Sequence, residues 1–178
     1  MKILLSGAQC VGKTTLINSL KSVHGDWIYF DEVVRTLAER GLKVSEMGTD
    51  ETQIEIMKAH IQNLNVKEGS NIAIYDRGVL DCFAYSIWMN KNYKMSPSTY
   101  SMSVGDFKQY IHSYDYIFYI APEFEIQDDG FRSTSKEFQT EIDFIFKNIL
   151  KDFEIKHTQL SGNIIQRIET LHKTIGVQ

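Results

Sequence analysis

Short apolar runs alternate with one-sided amphipathic stretches along the whole chain, a pattern that predicts strands alternating with helices. Residues 2–6, Lys-Ile-Leu-Leu-Ser, are short and apolar enough for a buried strand, and 15–23 carry Leu16, Ile17 and Leu20 at the spacing of a helix packed on a sheet. After a break at His24-Gly25-Asp26, the aromatic and β-branched run 27–30 predicts a second strand. A short helix over 32–40, apolar at Val33, Val34 and Leu37, stops at Gly41. Asp50-Glu51-Thr52-Gln53 opens a longer helix with Ile54, Met57, Ile61 and Leu64 as its stripe, closed at 67–69. Met57 and His60 on it read as packing and flank residues.

Residues 71–76 predict the third strand, and 79–90 a helix with Leu80, Phe83, Ala84, Ile87 and Trp88 on one side. Phe83, Tyr85 and Trp88 could stack on a base, but aromatic residues at helical spacing usually pack a core. Residues 91–103 are polar and show no period; a short helix over 107–114 leads to a fourth strand at 116–120. A polar connection, 122–135, precedes a long helix with Phe138, Ile142, Ile145, Ile149 and Phe153 facing the core, begun by a Thr134-x-x-Glu137 capping box. A weak fifth strand at 157–160, a turn and cap at 161–163, and a helix bearing Ile164, Ile168, Leu171 and Ile175 complete the chain. No repeat or low-complexity tract interrupts the pattern.

Such alternation implies a parallel sheet covered by helices on both faces. The 178 residues, 43% of them hydrophobic, suit one domain spanning 1–178. A net charge of −4 gives no general affinity for nucleic acid or anionic membrane, so a polyanion must be held locally. Two cysteines, Cys10 and Cys82, suggest a reducing compartment rather than a disulfide framework. With no secretory apolar region and no long apolar run, a cytoplasmic location is expected.

The strongest local signal lies between the first strand and the first helix. Gly7-Ala8-Gln9-Cys10-Val11-Gly12-Lys13-Thr14 is a complete G-x-x-x-x-G-K-[ST] phosphate loop in its strand, loop, helix setting. Glycines at 7 and 12 let backbone N–H groups approach phosphate oxygens, and the helix start adds positive potential. Lys13 is placed to reach the β- and γ-phosphates of ATP, Thr14 to ligate Mg²⁺, and Thr15 to cap or contact the α-phosphate. Cys10 fills an unconstrained position of the loop.

Asp31, Glu32 and Arg35 follow the second strand, where open parallel sheets bind ligands. They read either as a helix cap with a surface ion pair or as an acceptor site, with a carboxylate as base and Arg35 on substrate or phosphate. The third strand ends in Asp76, the natural Walker B carboxylate for Mg²⁺, and is followed by Arg77 rather than a water-polarising glutamate. Arg77 either neutralises phosphate charge or pairs with Asp76 or Asp81. The connection 122–136, with Asp129-Gly130-Phe131-Arg132, has the makings of a lid with Arg132 as a clamp on the transferring phosphoryl.

Gly7 to Thr15, the E-x-x-R of Glu32 and Arg35, Asp76-Arg77, the Asp129–Arg132 segment and Leu160-Ser161-Gly162 occur in an order that resembles the NadR-type, ribosylnicotinamide kinase-like AAA domain family. That family is related to deoxynucleoside and nucleoside-monophosphate kinases. The resemblance implies a three-layer P-loop fold of strand order 2-3-1-4-5 and ATP-dependent phosphorylation of a small nucleoside-like acceptor. Lys13, Arg77 and Arg132 would neutralise the transferring phosphoryl and Glu32 or Asp31 would accept a hydroxyl proton; with a monophosphate acceptor, Arg35 and Arg77 become clamps instead. The family's lid usually carries more basic residues than Arg132 and Lys136 supply. A modified base or a 5′ end of nucleic acid as acceptor, or a switch ATPase with no acceptor, are the other readings; no guanine signature is present.

Overall fold

The computed structural model describes residues 1–66, 72–126 and 134–177. The strands β1 (Lys2–Ser6), β2 (Ile28–Phe30), β3 (Ala73–Asp76), β4 (Tyr116–Tyr119) and β5 (Thr158–Gln159) form one parallel sheet in the order β2-β3-β1-β4-β5. It is the strand order expected of a P-loop fold. Seven helices flank it among the described residues: α1 (Lys13–Val23), α2 (Val33–Glu39), α3 (Asp50–Asn65), α4 (Val79–Lys91), α5 (Pro97–Tyr110), α6 (Lys136–Asp152) and α7 (Ile164–Ile175).

The middle strand β1 is apolar at successive positions because both of its faces are covered, and Ile3, Leu4 and Leu5 are fully buried. Its register puts Leu5 beside Asp76 on β3 and Ser6 beside Tyr119 on β4, while Phe30 on β2 lies beside Tyr75. Strand ends are therefore level. The loop after β1, the residues after Phe30 and the Asp76-Arg77 pair all emerge at one carboxyl edge, the position that parallel sheets use for ligands.

Four sequence expectations need correction. Residues 97–110 form α5, a full helix where the sequence showed only a polar stretch and a short helix from 107. Its inner face is partly polar: Thr99 donates to Asp50 Oδ2 at 2.9 Å and Ser103 to Ser86 Oγ at 2.9 Å, so hydrogen bonds replace the apolar period. Ser96 caps this helix with Pro97 in its first turn, a start signal that the sequence did carry. The cap of α6 is Ser135, which accepts from Phe138 N, and not Thr134. On α3 the cap is Thr49; Met57 and Leu64 of the expected stripe are buried, but Ile54 and Ile61 are only partly so, and Thr52, Gln53, Ile56 and His60, the last read as a flank residue, complete the buried face. Phe153 caps α6 at 40% exposure, with its ring edge-on to Phe83 and Phe107. The segment 129–132, including Arg132 of the expected lid, lies outside the described residues.

Two glycines test this architecture in opposite directions. Gly7 has φ +144° and a Cβ there would run into the Ile120 carbonyl, so Gly7→Ala should cost about 3 kcal/mol or more. Gly105 lies exposed inside α5 with nothing near a Cβ, so Gly105→Ala should stabilise by about 0.5–1 kcal/mol. Denaturant unfolding of both variants beside wild type checks the two signs.

Candidate functional site

Two cavities lie at the carboxyl edge of the sheet, and the loop after β1 contributes residues to both, Gln9 to one and Cys10 and Gly12 to the other. Gly7 and Gly12 take positive φ values of 144° and 89°, which turn the loop's backbone around a space and start α1 at Lys13. Lys13 is 2% exposed, and its Nζ donates to the carbonyls of Gly7 at 2.7 Å and Ala8 at 2.6 Å. Burial, with the Arg77 charge adding to it, pulls its pKa down to about 7. Asp76 faces the same cluster at 6% exposure; burial, with Glu32 adding to it, raises its pKa to about 6. Its Oδ1 is buried with no hydrogen-bond partner among the described residues. Such an oxygen is a ready ligand for a cation or its water.

The larger cavity, about 520 Å³, is lined by Cys10, Gly12, Lys13, Thr14 and Thr15 on one side and by Gly162, Asn163 and Arg167 on the other. Cys10 stands in it half-exposed with φ 59°. Thr14 and Thr15 are exposed there, at the first turn of α1. Arg167 is 3% exposed and ties the walls together: Nη1 donates to Val11 O at 2.8 Å, Nε to Gly162 O at 3.0 Å and Nη2 to Glu123 Oε2 at 3.1 Å. The Phe124 ring lies 5.3 Å from its guanidinium. Sequence reading passed over Arg167. The signal was there, since it interrupts the apolar stripe of α7 between Ile164 and Ile168, and a charge on a buried stripe is informative.

The second cavity, about 40 Å³, lies among Gln9, Glu32, Gln53, His60, Arg77 and Tyr85. Arg77 is its organising residue. At φ 70°, with its N–H bonded to Leu5 O at 3.1 Å, it sends a 4% exposed side chain back under the loop. Nε donates to Glu32 Oε1 at 2.6 Å, and Nη1 to Gly7 O at 3.0 Å and Asp81 Oδ1 at 3.2 Å. Its carboxylate partners are thus Glu32 and Asp81. Asp81 also accepts from Ser6 Oγ at 2.8 Å, fixing the first turn of α4 under the loop. Gln9 contributes its backbone to the loop but turns its side chain to this cavity, where Oε1 accepts from Tyr85 at 3.1 Å.

The geometry separates residues that the sequence had grouped. The Glu32 side chain is 8% exposed in the smaller cavity, whereas Asp31 is 77% exposed and pairs with Lys21 at 2.7 Å. Arg35 sits at the rim of the larger cavity and not in the smaller one. Of the aromatics on α4, Tyr85 lines the small cavity, Phe83 stacks on Phe107 in the core, and Trp88 packs on Phe138. Nor did the sequence mark Gln53, His60 or Asp81 as cavity residues.

The profile of an AAA domain matches residues 2–167. No curated protein matches the sequence. Among solved structures, NadR protein in complex with NR is similar at TM-score 0.80 and 20% identity, over 99% of this chain and 52% of that one. Deoxyadenosine kinase from M. mycoides with products dCMP and dCDP bound is similar at TM-score 0.73 and 16% identity, over 99% of this chain and 98% of that one. The same kinase with bound dATP gives TM-score 0.67 at 13% identity, over 99% and 100% of the two chains. At these identities the likeness is one of fold, and it falls on the kinases that the motifs resemble.

The lowered pKa of Lys13 predicts a proton count. At pH 8 a lysine titrating at about 7 is mostly neutral, and phosphate oxygens placed against it raise its pKa. Binding of a metal-free nucleoside triphosphate at pH 8 should then take up close to one proton, about 0.9 by that pKa. At pH 6, where Lys13 is already charged, its share should approach zero. Calorimetry in two buffers of different ionisation enthalpy measures it, and Lys13→Ala should abolish the uptake at pH 8.

Proposed function

The chain belongs to the AAA domain family, and on that footing we propose that it is a kinase that moves the γ-phosphoryl group of ATP onto the primary hydroxyl of a nucleoside. ATP fits the larger cavity. Its phosphates would draw Lys13 Nζ off the Gly7 and Ala8 carbonyls, with Thr15 on the α-phosphate and Arg35 at the rim beside the transferring group. Arg132 keeps its proposed place as a lid clamp. Thr14 and Asp76 suit Mg²⁺, the latter because its buried Oδ1 lacks a partner. Mg²⁺ supplies charge neutralisation across the β- and γ-phosphates when bound.

One observation carries the reading: a buried carboxylate, Glu32, held by Arg77 at 2.6 Å in a cavity that shares the phosphate loop as its wall. A hydroxyl placed there gives its proton to Glu32, its oxygen bonds to the γ-phosphorus, and the bond to the β-phosphate oxygen breaks to release ADP. Arg77 acts through its neighbours. By bonding Glu32 and Gly7 O together it fixes the base relative to the donor loop.

Charge selects between acceptors. The described lining of the small cavity holds the carboxylates of Glu32 and Asp81 against the single guanidinium of Arg77, and His60 is neutral because burial lowers its pKa to about 4. A dianionic monophosphate would add repulsion there, whereas an uncharged or cationic nucleoside would not. Size also matters. About 40 Å³ holds a few waters, far below the ~300 Å³ typical of ligand pockets, so the acceptor enters by displacing a wall. The short helix α2 suits that movement, since Leu37 is its one buried residue. The NR and dCMP named for the similar structures support an acceptor of this size.

With Mg-ATP and a panel of nucleosides and monophosphates, phosphorylated product by mass spectrometry should appear for a nucleoside and vanish in Lys13→Ala. Glu32→Gln should lower kcat by about 10²–10⁴-fold, while Asp31→Asn should stay within about twofold of wild type, as a surface pair would. ATP hydrolysis without any phosphorylated acceptor would replace this reading with a switch ATPase.

A further inference from the structure

Glu32 and Arg77 account for the reacting side of the small cavity but not for the wall that α3 provides. On that wall the helix turns an imidazole inward. His60 is 2% exposed, lines the same cavity as Glu32 and Arg77, and its Nε2 has no hydrogen-bond partner among the described residues. Gln9 Nε2, on the loop side, is a second buried nitrogen without a partner in this cavity. Buried polar atoms in folded proteins are almost always bonded, and the exceptions call for a reason. Two of them around one cavity point to groups completed by a ligand.

The ligand chemistry follows from the charge of the group. An imidazole kept neutral offers either an N–H or a lone pair, which matches a hydroxyl and gives no counter-charge to an anion. His60 lines the same small cavity as Glu32 and Arg77, so it stands within reach of an acceptor whose hydroxyl Glu32 addresses. A hydroxyl meets either tautomer, donating to the lone pair or accepting from the N–H, and apart from the primary hydroxyl a nucleoside carries such groups on its pentose. We propose that His60 is a specificity residue, bonding a secondary hydroxyl of the acceptor's sugar through Nε2 while Glu32 addresses the primary one. This rests on the nucleoside kinase reading. It assigns sugar discrimination to α3.

The test pairs hydroxyl deletion in the substrate with side-chain replacement. Nucleosides and their 2′-deoxy and 3′-deoxy counterparts are titrated by calorimetry into wild type, His60→Leu and His60→Gln, with ATP affinity and thermal unfolding measured alongside. In wild type, loss of the contacted hydroxyl should weaken binding tenfold or more. In His60→Leu the same deletion should change binding less than twofold, with ATP affinity unchanged and Tm equal or higher, because an unpaired buried nitrogen has been removed. His60→Gln, whose amide reaches the Nε2 position, should regain part of the discrimination. In wild type the ¹⁵N resonance of His60 Nε2 should move with the hydroxyl-bearing nucleoside and stay with the deleted one.

A His60→Leu enzyme that still discriminates as wild type does, or that loses affinity equally for all three nucleosides, overturns the assignment. A resonance that no nucleoside moves does the same. Failure of the kinase reading shows differently: nucleosides bind and move the resonance, but no phosphorylated product forms.

Discussion

The buried guanidinium of Arg77 is the interaction on which the site depends. It joins the segment after β2, the loop after β1 and the first turn of α4 through Glu32, the Gly7 carbonyl and Asp81. A lysine could not replace it, because a point charge with one nitrogen cannot bond three groups in a fixed fork. The left-handed backbone at Arg77 is part of the same arrangement, directing the side chain back under the loop after β3 has ended. Removing the guanidinium would leave two buried carboxylates uncompensated, which is more destabilising than the pair itself is stabilising.

Around that hub the buried charges form a set: Lys13 and Arg77 against Glu32, Asp76 and Asp81. Burial pushes Lys13 down and Asp76 up, each toward its neutral form. An anion against Lys13 and a cation at Asp76 would restore both charges. The smaller cavity, with Glu32 and Asp81 against Arg77, lacks spare positive charge, whereas Lys13, Arg35 and Arg167 line the larger one.

Much of this was legible beforehand. The phosphate loop, the strands and most helices follow from residue type and spacing, because β1 is apolar on both faces and the loop requires glycine at fixed places. What escaped notice was polar residues standing on buried faces. Helix α5 hides Thr99 and Ser103 against Asp50 and Ser86, so its inward face carries too little apolar signal to reveal it. Arg167 and His60 occupy buried stripes of α7 and α3 for the same reason. Periodicity recognises apolar burial; it does not recognise a polar side chain satisfied by a carbonyl across the fold or reserved for a ligand.

The sequence by itself determined the local chemistry: an anion-binding loop between a strand and a helix, a carboxylate at the end of β3, and the candidates Asp31, Glu32 and Arg35 after β2. Those features depend on short-range geometry, which adjacent residues dictate. Only the tertiary structure decided how they are shared out. Sheet register brought Phe30 beside Tyr75, and so brought Glu32 to Arg77 while leaving Asp31 to Lys21 and solvent. Which of two neighbouring carboxylates is buried depends on what faces it from another strand, and no spacing along the chain records that.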